Sequence, residues 1–356
     1  MVVAIGALFA LATPVAATPL PGVALDRDGD GKADPIVVSS VGCPNSSVWH
    51  WATSSGFVDE PWTSSDCTAL LAGDVDGDHR ADAIAVQTLD DGDLVWTARR
   101  SSDARADAFV FGHTGDVALV GDVDGDGRTD AIAMRRNGPG QPTEWFMRLS
   151  SGGYRSTLWG DGNNEDFPAL ADYDADGRTD IAVARKFGSA PGDQPSLYWW
   201  VQASSPEDRL PHYFASVGSG YGAVTANWGA GGDLLVPGDY LDDGRADAAV
   251  VRAEPGGHLR WYVNHPSQFG SPIIIDWGDS ATDVPVPADY DGDGRTDIAI
   301  WRHAVPNGAG QFWIRRSSDG GLTLFDYGKD GRDLPLTTST VIETIQSPNC
   351  TSYTCT

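Results

Sequence analysis

Short apolar runs of four to seven residues alternate along the chain with turns rich in Gly, Asp, Ser and Pro, and no stretch keeps a convincing helical period. The clearest copy of the pattern lies at residues 284–288, 298–302, 311–316 and 322–327, which read as four strands separated by turn signals. The same order recurs upstream: an apolar strand, an Asp-rich loop, a second strand, a turn, an aromatic strand, a Gly-containing turn and a fourth strand. Four antiparallel strands in each unit of about 50 residues describe a propeller blade. The expected fold is therefore all-β, a β-propeller of about six four-stranded blades.

The Asp-rich loops set the phase of the repeat. Their first Asp residues are Asp26, Asp74, Asp122, Asp172, Asp239 and Asp289, spaced 48, 48, 50, 67 and 50 residues apart. Carboxylates at positions 1, 3, 5 and 9, with a Gly at 6 that lets the backbone turn sharply, make an oxygen cage for a hard cation, and calcium is the ion implied. The expected ligands are Asp26, Asp28, Asp30 and Asp34, then Asp74, Asp76, Asp78 and Asp82, then Asp122, Asp124, Asp126 and Asp130. They continue as Asp172, Asp174, Asp176 and Asp180, then Asp239, Asp243 and Asp247, then Asp289, Asp291, Asp293 and Asp297. Position 7 adds a backbone carbonyl in each loop, from Lys32, Arg80, Arg128, Arg178, Arg245 and Arg295. His79 replaces the Gly of the second loop, and Leu241 replaces a carboxylate of the fifth, with Asp242 the nearest substitute. Four strong calcium sites are expected, with the loop at Asp74 weaker and that at Asp239 weakest.

These loops account for much of the composition. Of 50 acidic residues only 6 are Glu, and 23 of the 44 Asp hold loop positions. The net charge of −26 is thus mainly a ligand inventory, which six divalent ions would reduce to about −14. Such acidity argues against nucleic acid and anionic membranes as partners.

Residues 2–17 form a short apolar stretch that ends in Val15-Ala16-Ala17, the small-residue pattern of a signal-peptidase site. Export is expected, with a signal peptide over 1–17, one propeller domain over 18–345 and a tail over 346–356. No membrane insertion is expected, because no other segment is apolar enough to anchor the chain, and the expected state is a monomer. Four cysteines in an exported chain suggest two disulfides. Cys43 with Cys67 and Cys350 with Cys355 is the favoured pairing, and a cross pairing of the tail with the first repeat is the alternative.

A second signature runs in phase with the loops. The third strand carries Trp49, Trp96, Trp145, Trp199, Trp261 or Phe312, each five residues before a Ser-Ser or its equivalent. One aromatic per blade at one register is read as packing between blades rather than as a sugar platform. Asp116, Asp166, Asp233 and Asp283 recur six residues before the first loop Asp, often behind pairs such as Phe111-Gly112, Trp159-Gly160 or Trp277-Gly278.

On the DxDxDGxxD loops and the Phe111-Gly112, Trp277-Gly278 and Tyr327-Gly328 pairs, the chain resembles the FG-GAP and VCBS repeat family over residues 22 to about 345. These are the calcium-loop propeller repeats of integrin alpha subunits, many exported bacterial proteins and some fungal lectins. The resemblance implies a calcium-stabilised, non-enzymatic module that recognises a glycan or an extracellular protein. It specifies fold far better than activity.

Closure of the ring is open at this level. Asp333 and Pro335 are placed as Asp283 and Pro285 are, but Ser339 stands where a loop Asp should follow. The segment just before Asp26 is read as the first strand of blade 1, and the C-terminal stretch as a capping or closing strand. An incomplete seven-bladed ring is the alternative. The fourth unit carries an insertion of 17 residues between its third and fourth strands, on the loop face, with His212, Tyr213, Phe214 and Tyr221 as a candidate ligand-binding loop. No HExxH, GxSxG or phosphate-cradling motif occurs, and the seven His are scattered. The runner-up reading is a secreted carbohydrate-active enzyme, a lyase or glycoside hydrolase built on a propeller.

Overall fold

Four of the six sheets are antiparallel with strands that follow one another in chain order, because the turns between them are too short for crossovers. The computed structural model describes residues 24–40, 47–62, 67–162, 166–187, 196–204, 215–216, 224–264, 272–302, 310–328 and 333–336. Six sheets stand in a ring as blades, and the described residues contain no helix. Blade 6 shows the pattern, with Asp283–Pro285, Ile298–Arg302, Gln311–Arg315 and Leu322–Asp326. These match the four runs read from sequence to within a few residues at each end.

Burial falls from the inner strands to the rim. In blade 2, Asp82–Thr88 is buried on both faces over its first five residues, Asp93–Arg99 alternates, and Ala106–His113 is mostly exposed. The core is divided into six clusters, each filling the space between neighbouring blades. Trp145 of blade 3 packs with Ile181 and Val183 of blade 4, and Trp261 of blade 5 with Ile298 and Ile300 of blade 6. The aromatic register is therefore packing between blades.

These indoles also need a polar partner. Trp96, Trp145, Trp199 and Trp261 donate Nε1–H to the carbonyls of Phe111, Trp159, Trp228 and Trp277 on their own fourth strands, at 2.7–3.0 Å. Blade 6 has Phe312 at this register, and Trp301 of its second strand donates instead to Tyr327. The Gly after each of these acceptors has φ of 85–109° and leaves room for the recurring Asp. A Cβ on Gly160 would meet Asp166 Oδ2 at 2.6 Å.

Blade 1 corrects one expectation. The chain just before Asp26 does not form its first strand: residues 24 and 25 are a turn, and Asp333–Pro335 takes the innermost place, with Asp333, Leu334 and Pro335 opposite Ser39, Val38 and Val37. Leu336 N then donates to Ile36 O at 3.2 Å, and Asp34 N to Leu25 O at 2.9 Å. Blade 6 makes the corresponding bonds from Val286 and to Ala288 within one continuous segment. Two distant segments are thus spliced into one inner edge, and Asp26 fills the place that Ser339 left vacant in sequence. The C-terminal stretch is a closing strand of a six-bladed ring, and the seven-bladed alternative is overturned.

Blade 4 has a fifth strand, Ala215–Ser216, paired with the outer strand Val224–Ala230. These two residues of the insertion therefore add to the rim of the blade. The segment read as a signal peptide, Cys43, Cys350, Cys355 and the C-terminal tail lie outside the described residues, as does the Cys67 side chain.

Candidate metal centres

The six Asp loops fold alike because the first Asp organises the backbone after it. Asp122 Oδ1 accepts from Gly125 N at 2.7 Å and Asp126 N at 3.2 Å, while Oδ2 accepts from Gly127 N at 2.8 Å. Asp26, Asp74, Asp172, Asp239 and Asp289 make the same three bonds. This Asx geometry requires a left-handed residue at positions 4 and 6. Gly supplies it at most of them, but Ala175 and Asp242 adopt φ of 64° and 62° at position 4, and His79 adopts 63° at position 6. The departures in sequence thus leave the loop path intact.

The last Asp ties each loop to its blade. Its Oδ2 accepts the N–H of position 2, from Arg27, Val75, Val123, Tyr173, Tyr240 or Tyr290, at 2.7–3.0 Å. Its Oδ1 accepts from the turn after the third strand, at Ser101, Ser150, Ser204 and Ser317. Hydroxyls of that turn reach position 3: Ser54 to Asp28 at 2.6 Å, Ser102 to Asp76 at 2.7 Å, Ser318 to Asp291 at 2.6 Å, and Ser151 to Asp124. These serines had served only as register marks in sequence. Their fixed offset from the buried aromatic was the signal that they share a face with the loops.

Three carboxylates converge within 4.8 Å in five loops: Asp26, Asp28 and Asp34; Asp74, Asp76 and Asp78; Asp122, Asp124 and Asp130; Asp172, Asp174 and Asp180; Asp289, Asp291 and Asp297. Position 5 joins the trio only in the second loop. In every one of these five loops the position-5 Asp, whether Asp30, Asp78, Asp126, Asp176 or Asp293, accepts the N–H of position 7. Among the described residues the fifth loop assembles no trio, since Leu241 holds position 3. Asp243 accepts from Arg245 N, and Asp242 stands close enough to influence Arg295 of the next loop.

Two features of these trios fit a divalent cation. Asp28, Asp76 and Asp124 each bury one Oδ1 that no hydrogen-bond donor satisfies. Burial, reinforced by neighbouring carboxylates and opposed by backbone N–H groups, also pushes the position-9 acids upward. Asp34 moves to about 7, Asp180 to about 8, and Asp82, Asp130 and Asp297 to about 6. Asp247 of the fifth loop reaches about 8. Carboxylates held this close need a proton or a cation, and the donor set is oxygen only.

The loops are also joined in series. The N–H of position 8 in one loop donates to the carbonyl of position 1 in the loop before it: Ala81 to Asp26, Thr129 to Asp74, Thr179 to Asp122, Ala246 to Asp172, Thr296 to Asp239 and Ala33 to Asp289, at 2.5–2.7 Å. The last of these joins loop 1 to loop 6 and completes the circuit.

His212, Tyr213, Phe214 and Tyr221 lie outside the described residues. Ser204, where the insertion begins, bonds to Asp180 of loop 4, so the segment leaves from the loop face.

Residues 239–300 match the family described as FG-GAP-like repeat. The match runs from the first Asp of the fifth loop into the second strand of blade 6. No curated protein matches the sequence. Among solved structures, the crystal structure of TolB from Acinetobacter baumannii is similar with a TM-score of 0.47 and 12% identity, over 86% of this chain and 67% of that one.

Proposed function

We infer that this chain, a β-propeller of FG-GAP-like repeats, is an exported recognition module whose blades are stabilised by calcium and whose loop face binds a glycan or an extracellular protein. One observation carries the calcium reading: five loops gather three carboxylates each, and Asp28, Asp76 and Asp124 each bury an oxygen that lacks a donor. Without a cation these groups repel, and the strain passes to both inner strands through the position-9 Asp. Asp28, Asp124, Asp174 and Asp291, with the first and ninth Asp of their loops, would hold the ions. The cation supplies charge neutralisation, and the Asx turns and Ser caps keep the ligands in place.

The recognition reading is supported by the loop face, where the insertion of blade 4 departs with its aromatic residues. Melting the protein in calcium and in excess EDTA tests the first part. At 100 times the dissociation constant each occupied site adds about 2.7 kcal/mol, so the midpoint should rise with calcium and fall with chelator. Magnesium should substitute poorly, because it holds its waters and demands a tighter octahedron. Identical melts in EDTA and calcium would sink the reading. A glycan array with and without calcium tests the second part, and deletion of residues 206–220 should abolish any binding while leaving the calcium-dependent melt intact.

A further inference from the structure

Blade 1 differs from blades 3 to 6 at the ends of the second strands. In blades 3 to 6 an Asp beside the inner strand holds an Arg of the second strand through both carboxylate oxygens: Asp116 with Arg135, Asp166 with Arg185, Asp233 with Arg252, and Asp283 with Arg302. Each guanidinium lies over a third-strand ring, Phe146, Trp200, Tyr262 or Trp313, at 4.7–5.8 Å. Blade 1 puts Asp333, Ser39 and His50 at these three registers. It has neither the guanidinium nor the large ring.

What replaces them is a polar chain across three strands. Ser39 Oγ lies 2.7 Å from His50 Nε2, and His50 Nδ1 lies 2.7 Å from Asp59 Oδ1. The pairings of Val37 with His50 and of His50 with Asp59 put all three side chains on one face of the sheet. That face turns toward blade 6, since Val37 packs with Trp301 and Phe312, and Phe57 stacks on Tyr327 at 4.8 Å. The His50 side chain is 12% exposed and that of Asp59 is 64% exposed, while Ser39 is half-buried. Nearby, the Tyr327 hydroxyl is buried without a hydrogen-bond partner, in the field of Asp59, Asp333 and Asp34.

We propose that Ser39 is a nucleophile activated by His50 and Asp59, and that the seam between blades 1 and 6 cleaves carboxylic esters. With the ring proton on Nδ1 held by Asp59, Nε2 accepts from Ser39. Oγ bonds to the ester carbon as its proton passes to Nε2. The carbon–alkoxide bond then breaks, and the alcohol leaves with that proton. Water, giving a proton to Nε2, attacks the acyl-serine; the carbon–Oγ bond breaks, Oγ recovers the proton, and a carboxylic acid departs. Among the described residues, the Tyr327 hydroxyl is a donor without a partner at the seam and is assigned to the oxyanion. Esters suit the site better than amides, because an Asp open to water gives the imidazolium only screened support and an alkoxide leaves more readily than an amine anion.

The test uses the full chain with a fluorophosphonate probe and p-nitrophenyl acetate. The expected result is a phosphonyl adduct mapped to Ser39, and hydrolysis that falls about 100-fold in Ser39→Ala and His50→Gln. Asp59→Asn should lose about tenfold, and Tyr327→Phe should slow both turnover and the labelling of Ser39, because the phosphonyl oxygen takes the place of the oxyanion. A melt of each variant separates lost chemistry from lost folding. Ser39→Cys gives an independent reading, since His50 should accelerate its alkylation by iodoacetamide relative to the same thiol in a His50→Gln background. Absence of an adduct on Ser39 in the folded parent protein, or equal labelling with and without His50, would overturn the proposal.

Discussion

Replacing Leu336 by Ala tests whether the ring is closed by the splice in blade 1. Leu336 is 5% exposed and packs in a cluster with Ile36, Val38, Trp49, Trp51 and Leu25, whereas Leu334, two residues earlier, is 47% exposed. Removing three carbon groups from a buried site costs about 0.8 kcal/mol each in transfer, or about 2.4 kcal/mol, and the cavity left behind adds to this. The inner edge here is a short segment that can partly collapse, so the total should stay near the lower end of the 2–5 kcal/mol found for such changes, at about 3 kcal/mol. For a domain of this size that corresponds to a fall of about 4 °C in the melting midpoint. Leu334→Ala should cost no more than about 0.5 kcal/mol, because its side chain already faces solvent. Urea unfolding of both variants in saturating calcium measures the difference without disturbing the loops. Equal effects, or a silent Leu336→Ala, would show that residues 333–336 do not complete blade 1.

Three further outcomes are expected. In chelator, the position-9 acids Asp34, Asp82, Asp130, Asp180 and Asp297 have folded-state values of about 6 to 8 against an ordinary 3.8. The folded state then binds the extra protons, so the stabilisation they give is complete below about pH 4 and is lost as pH rises to about 8. Scanning fluorimetry in EDTA should show the midpoint falling from pH 5 to pH 8 and calcium removing that fall, and a rising midpoint in EDTA would contradict the assignment. Asp124→Ala should lower the calcium-dependent midpoint more than Asp243→Ala, because Asp124 belongs to a three-carboxylate group and Asp243 does not; equal losses by calorimetry would deny the difference. Trp145→Phe should cost about 2–4 kcal/mol in denaturant unfolding, combining the lost indole volume with the Trp159 carbonyl left without its donor, and a cost under about 1 kcal/mol would show that the bond contributes nothing.

The blade count and the loop positions were legible in the chain itself because both depend on contiguous residues. An Asp whose carboxylate accepts from the N–H groups three, four and five residues on writes its turn into nine residues, and six such turns in phase with buried aromatics mark six sheets. That the fifth loop gathers no three-carboxylate group could be read the same way, from Leu241 alone. Other features depend on contacts that no spacing records. The segment before Asp26 looked like a strand because it is apolar, but burial against Trp49 and Trp51 serves a turn as well as a strand, and the free edge of Ile36–Ser40 could be completed by Asp333–Pro335 only in a closed ring. The circuit of bonds from position 8 to position 1 needs neighbouring blades in place before it exists. Ser39, His50 and Asp59 share no motif, since a sheet brings together side chains from three strands through register rather than sequence. Local chemistry fixes what each repeat becomes, and the packing of one blade on the next decides which distant residues meet.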